Sequence, residues 1–204
     1  MHHPPEEEGV VKYQAQHTDG AVRPFDGLRD LVAWRGELFN RSLIGDDAQG
    51  IGYGNISVRL FTSPRFLISG TQTSGLEQVD QRHFAEVTVA DLDRNAVKSV
   101  GRVPASSEAL THAALYQSDA GIGGVAHIHS QDLWERHRNI LPTTDEKAEY
   151  GTPLMGYEMI RLHRRGANRR QGVIVMGGHH CGLIAYGPQI GHAVQALLAL
   201  ADGS

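Results

Sequence analysis

The sequence predicts an α/β domain in which helices flank a central mixed, mainly antiparallel sheet, an α-β-α layered arrangement. Three observations predict it. Short segments alternate apolar and polar residues, segments of helical period stand between them, and no repeat or linker divides the 204 residues. That length suffices for one continuous core and is too short for a complete (β/α)8 barrel.

The elements follow in order. Residues 1–25 carry Pro4, Pro5 and Glu6 to Glu8 without a sustained period, which predicts an N-terminal arm ahead of a single domain over 26–204. Asp26 is placed as the N-cap of a first helix, because Leu28, Leu31, Val32, Leu38 and Phe39 share one face. A glycine-rich loop spans 45–54. Ile56, Val58 and Leu60 then alternate with Ser57 and Arg59, the spacing of a strand. Further strands are expected over 65–69, 86–90 and 96–100, with a hydroxyl-rich loop over 70–75. Residues 106–116 read as a helix with Ala109, Leu110, Ala113 and Ala114 as its apolar stripe. A buried strand is expected over 125–130. Thr152 and Pro153 are an N-cap and a first helical residue, opening a helix through Arg165. Two short strands, 173–176 and 183–186, surround a turn over 177–182, and a helix over 189–201 closes the chain.

Composition narrows the function. Nineteen basic against 23 acidic side chains give a net charge of −4, which argues against nucleic acid or an anionic membrane as the main partner. A single cysteine, Cys181, permits no internal disulfide and points to a reducing cytoplasm. The polar, acidic start does not read as a signal peptide. With a mean hydropathy of −0.32 and no apolar run of about 18 residues, no membrane span is expected. The 12 histidines and 24 glycines are the unusual counts.

Three places concentrate reactive groups. His127 and His129 are two apart on a predicted strand, so both imidazoles project from one face within reach of a common ion. His179-His180 lies in a glycine-bounded turn after another strand, and one imidazole of that pair completes three nitrogen ligands, with Cys181 as an alternative. Such a set suits Zn2+ or another divalent ion that favours imidazole. The third place is Ser106-Ser107-Glu108, whose hydroxyls and N–H groups at a helix start suit an anion. Glu108 is not part of a capping box, since Ala109 and Leu110 occupy the third positions after the two serines. His112, one turn on, is placed to orient it. The 50–55 stretch precedes a strand rather than a helix and so fails the dinucleotide fingerprint, although its N–H groups and Asn55 suit an anion. His137 and His163 read as solvated helix faces, and Arg161, Arg164, Arg165, Arg169 and Arg170 as a basic helix end and loop.

Gly54-Asn55-Ile56-Ser57, the 70–75 loop, Pro104-Ala105-Ser106-Ser107-Glu108, His127-Ile128-His129 and Gly177-Gly178-His179, in this order, resemble the class II aldolase/adducin family over about residues 26–201. The resemblance implies that His127, His129 and His179 hold Zn2+, that Glu108 is the acid/base, and that Gly54, Asn55, Ser74, Gly75, Ser106 and Ser107 cradle a substrate phosphate. It implies a fuculose-phosphate aldolase-like enzyme that reversibly cleaves a ketose phosphate through a zinc-stabilised enediolate. It also implies a homotetramer with active sites between subunits and a catalytic tyrosine from a neighbour, for which Tyr150 and Tyr157 are candidates. A pentulose-phosphate 4-epimerase or a ketose-phosphate dehydratase uses the same groups, and an adducin-like assembly protein keeps the fold without catalysis. The sequence departs from the family pattern where His180 and Cys181 separate His179 from Gly182, and where the polar loop is lengthened. A cupin shares only the His-x-His start of its motif, since Glu135 lies too far on and the two helices do not fit an all-β barrel.

Overall fold

The computed structural model describes residues 9–61, 63–166 and 171–203. Among them the chain forms β1 (Gln14–Asp19), α1 (Leu28–Asn40), β2 (Gly45–Asp46), β3 (Gly52–Tyr53), β4 (Asn55–Arg59), β5 (Phe66–Ser69), β6 (Phe84–Asp91) and β7 (Ala96–Gly101). It continues through α2 (Ala109–Ser118), β8 (Gly124–His129), α3 (Gln131–His137), α4 (Pro153–Arg165), β9 (Gly172–Val175), β10 (Gly182–Gly187) and α5 (Ile190–Ala201). Eight strands build one sheet in the order β1-β7-β6-β5-β4-β8-β10-β9, and β2 and β3 form a separate hairpin. Among the described strands only the β1–β7 pair is parallel, so the sheet is mixed and mainly antiparallel, as expected.

The side-chain period of two divides the apolar residues between two cores. On one face Phe66, Ile68 and Val125 pack with Leu110 and Ala114 of α2 and Met155 and Met159 of α4. On the other, Ile56, Leu67, Ala126 and Ile128 meet Leu31 and Leu38 of α1, Leu133 of α3, and Val194 and Leu197 of α5. Burying each such Leu, Ile or Met side chain contributes about 1.5–3 kcal/mol. The result is a three-layer α-β-α stack with β8 near its centre.

Several sequence expectations are corrected here. Residues 14–19, expected within an N-terminal arm, form β1, paired with β7 from Gln14 opposite Ala96 to Asp19 opposite Gly101. The strand QAQHTD is polar and largely exposed at the sheet edge, so no apolar alternation announces it. The first helix is capped at Gly27 without a side-chain bond, not by Asp26. Helix α2 starts at Ala109, three residues later than expected, because Ser106 Oγ accepts from Glu108 N–H at 3.2 Å and holds residues 106–108 as a turn. Helix α3, capped by Ser130, spans Gln131–His137 and so carries His137 on a helix, as expected, but starts upstream of Trp134. His163 is buried rather than solvated: it follows Met155 and Met159 at helical spacing on the inner face of α4, its ring edge-on to Tyr186. Arg169 and Arg170 lie outside the described residues.

Candidate metal centre

The centre forms at the C-terminal end of β8. Asn55 of β4 stands opposite His127, and Gly182 of β10 opposite His129, so three neighbouring strands frame the two imidazoles. The turn between β9 and β10 brings His179 in beside them. His129 Nε2 lies 3.1 Å from His127 Nε2 and 3.0 Å from His179 Nε2. Glycine at 182 permits this approach, since a Cβ there would stand 2.7 Å from His179 Cδ2 and 3.2 Å from His127 Cε1. His180 turns away, its ring over Trp134 and its Nδ1 3.0 Å from Cys181 Sγ. Geometry therefore brings His179, rather than His180 or Cys181, to the pair.

The donor set fits a cation. His127 Nδ1–H donates to the Leu183 carbonyl at 3.0 Å, which leaves Nε2 as a bare acceptor aimed at the other two rings. Burial pushes the His127 imidazole down to about 4. It also pushes His129 and His179 well below the ordinary value, with the neighbouring imidazoles adding to the effect. Three neutral imidazoles whose ligand atoms all lie within 4.8 Å of one another can hold a divalent ion.

Glu108 completes the constellation. Its carboxylate is buried, and Oε1 lies 3.5 Å from His179 Nε2. His112 does not orient it through its ring: His112 Nδ1 pairs with Ser57 Oγ at 2.7 Å, and Ser57 Oγ pairs in turn with Tyr116 Oη at 2.8 Å. This network lies wholly inside the core between β4 and α2.

A cleft of about 260 Å3 opens onto the three histidines. Gly54, Asn55, Ser74, Ser106, Ser107, Glu108, His127, His129 and His179 all line it. Gly54 has φ +73°, and a Cβ there would meet Ile44 at 2.8 Å, so glycine lets the backbone pass tightly beneath the site. Ser74 Oγ donates to the Gly54 carbonyl at 3.0 Å, which ties the polar loop to the start of β4. Gly75 does not line the cleft; it faces Asp46, whose carboxylate fills the space a side chain would need. Of the two tyrosine candidates, Tyr150 lines the cleft with its ring on His179 at 4.7 Å, whereas Tyr157 is exposed on α4 and bonded to Asp93.

Sequence reasoning missed Tyr53, Gly9, Val10 and Arg35. Tyr53 stacks on His129 with 5.5 Å between ring centroids, and its place beside Gly54-Asn55 was the available signal. Arg35 on α1 is buried and donates to the carbonyls of Thr73 at 3.1 Å, Ser74 at 2.5 Å and Glu77 at 3.4 Å. An arginine at a buried helical position, on the stripe with Leu31 and Leu38, was its signal.

Residues 39–202 match the sequence profile of the class II aldolase and adducin N-terminal domain. The chain belongs to the class II aldolase and adducin family. Solved structures agree on the fold. YgbL of Klebsiella pneumoniae, for which aldolase, epimerase and decarboxylase activities are all named as candidates, superposes with a TM-score of 0.63 at 17% identity, over 85% of this chain and 84% of that one. An L-fuculose 1-phosphate aldolase gives 0.62 at 18% identity, over 88% and 85%. The L-fuculose-1-phosphate aldolase of Thermus thermophilus gives 0.60 at 18%, over 86% and 89%. No curated protein sequence matches the chain. Among the described residues of this class II aldolase and adducin family member, no helix is long and apolar enough to cross a membrane.

Proposed function

We propose that the protein is a divalent-metal-dependent aldolase, with Zn2+ the expected ion, that reversibly cleaves a ketose phosphate and releases an aldehyde. One observation carries the reading: three imidazole Nε2 atoms, two pairs of them 3.0 and 3.1 Å apart, converge at one cleft with a buried carboxylate 3.5 Å from the third ring. His127, His129 and His179 would hold the ion, which when bound supplies Lewis acidity at a substrate carbonyl, worth several kcal/mol. Glu108 takes a proton from the substrate and returns it, a role worth about 10²–10⁴ in rate. Ser106, Ser107, Asn55 and Gly54 cradle the phosphate, with Ser74, hydrogen-bonded to the Gly54 carbonyl, lining the same cleft. Anchoring the phosphate there converts remote binding into orientation of the reacting carbons. The family resemblance extends the reading to a cytoplasmic homotetramer with sites between subunits.

Metal analysis of the purified protein, joined to a screen of ketose phosphates for aldehyde release, tests the proposal. Glu108→Ala is expected to retain the metal and to lose at least about 10²-fold in kcat. A chain that takes up no divalent ion, or a Glu108→Ala variant of undiminished turnover, would sink it. Epimer formation without aldehyde release would replace the lyase by the 4-epimerase.

A further inference from the structure

We infer that the segment over 9–13 is a specificity wall of the cleft and sets the length of phosphorylated substrate that fits, an inference that rests on the sugar-phosphate reading above. The segment bridges the two sides of the cleft. On one side Gly9 approaches the turn between β2 and β3, where a Cβ on Gly9 would lie 3.4 Å from Ile51 Cγ2. On the other, Val10 N–H donates to Tyr150 Oη at 3.2 Å. Lys12 Nζ stands 3.9 Å from the centre of the Tyr150 ring and pairs with Glu149 at 3.1 Å.

The bridge is anchored as well as placed. Tyr13 is buried and donates its hydroxyl to the Ser106 carbonyl at 2.9 Å, on the stretch that carries Ser107 and Glu108. Asn95 Nδ2 donates to the Lys12 carbonyl at 2.9 Å, and β1 begins at the next residue but one. The segment is therefore held by the edge of the sheet on its C-terminal side and by Tyr150 near its start.

This placement divides the cleft chemically. Gly54, Asn55, Ser106 and Ser107 line it with polar groups, whereas Val10 and the Tyr150 to which it is hydrogen-bonded line it with largely apolar surface. Tyr150 packs on His179, so the apolar surface begins next to the three histidines. A substrate with its phosphate at the polar groups and its carbonyl at the histidines meets Val10 and Tyr150 with its remaining carbons. The cleft holds about 260 Å3, and Val10 and Tyr150 are among the residues that bound it. A short substrate fits and a long one meets the wall.

Isothermal titration of the zinc-loaded full chain with unreactive three-carbon and six-carbon polyol phosphates tests the wall. The intact chain is expected to bind the shorter compound at least about tenfold more tightly. Val10→Gly should shrink that preference by removing bulk, and Val10→Trp should enlarge it; circular dichroism and zinc content verify that both variants are folded and loaded. Equal preference in the intact chain, or a preference that moves less than about twofold in both variants, overturns the wall and leaves the aldolase reading standing. Failure of the intact, zinc-loaded chain to bind either phosphate overturns the sugar-phosphate reading, and the inference falls with it.

Discussion

His127, His129 and His179 are buried side chains whose neutral forms the fold prefers, and that preference has a pH consequence. Their folded-state pKa values lie below the ordinary 6.5, at about 4 for His127. Between those values the unfolded chain binds more protons than the folded one, so stability is lost as the pH falls through that window. The metal-free protein is expected to lose about 3 kcal/mol from His127 alone between pH 6.5 and 4. Urea midpoints of the metal-free chain across that window, compared with His127→Gln, check the sign; a wild-type midpoint no more acid-sensitive than the variant's would contradict it. Ligand protonation also opposes metal binding in the same direction, so zinc affinity should fall with the midpoint.

At the scale of elements, the polar loop after β5 is held by α1. Arg35 gives its guanidinium to three loop carbonyls while its side chain lies over the Phe39 ring, 4.7 Å from the centroid. Burial lowers its pKa and Asp46 opposes that shift, yet an arginine remains charged under any ordinary condition. Arg35→Leu leaves those carbonyls without their partner, at a cost of about 1–3 kcal/mol. Because the loop borders the phosphate side, KM for the phosphorylated substrate should rise more than kcat falls, while zinc content stays unchanged. Steady-state kinetics with parallel thermal melts separate the two effects; an unchanged KM would show that the clamp does not serve the site. This loop also shows where a sequence stops being legible. His127 and His129 were readable because a strand has a period of two, and Thr152-Pro153 because capping is local. The place of Arg35 on the stripe with Leu31 and Leu38 was readable too, but its partners were not, because they are 38 to 42 residues away. Strand β1 was hidden for the same reason, since its polar residues gain their structure only from the edge of β7. His163 was readable in principle, as its spacing from Met155 and Met159 marks the buried stripe, but the arginines beside it suggest a solvated face.

For the whole molecule, the centre joins parts far apart in the chain. It links the end of β8 to the turn before β10, and Glu108 reaches the same point from the turn before α2. An ion bound only by the folded arrangement stabilises it by about 2.7 kcal/mol at a hundredfold excess over Kd. With roughly 2–4 °C per kcal/mol for a chain of this size, zinc should raise the thermal midpoint by several degrees, and a chelator should reverse the rise. His129→Ala should abolish the effect; a midpoint indifferent to zinc and chelator in the unsubstituted chain would mean that the three rings hold no ion. The sequence by itself determined the layered α/β class, the two histidines of β8, the glutamate after paired serines and the family these motifs resemble. Each of those rests on local period or on short spacing. Only the tertiary structure decided that His179 rather than His180 joins the pair, that Gly75 stands outside the cleft and that Gly9 and Val10 line it. Those outcomes depend on which turns and edges meet, and contacts between distant segments leave no periodic mark on the residues that make them.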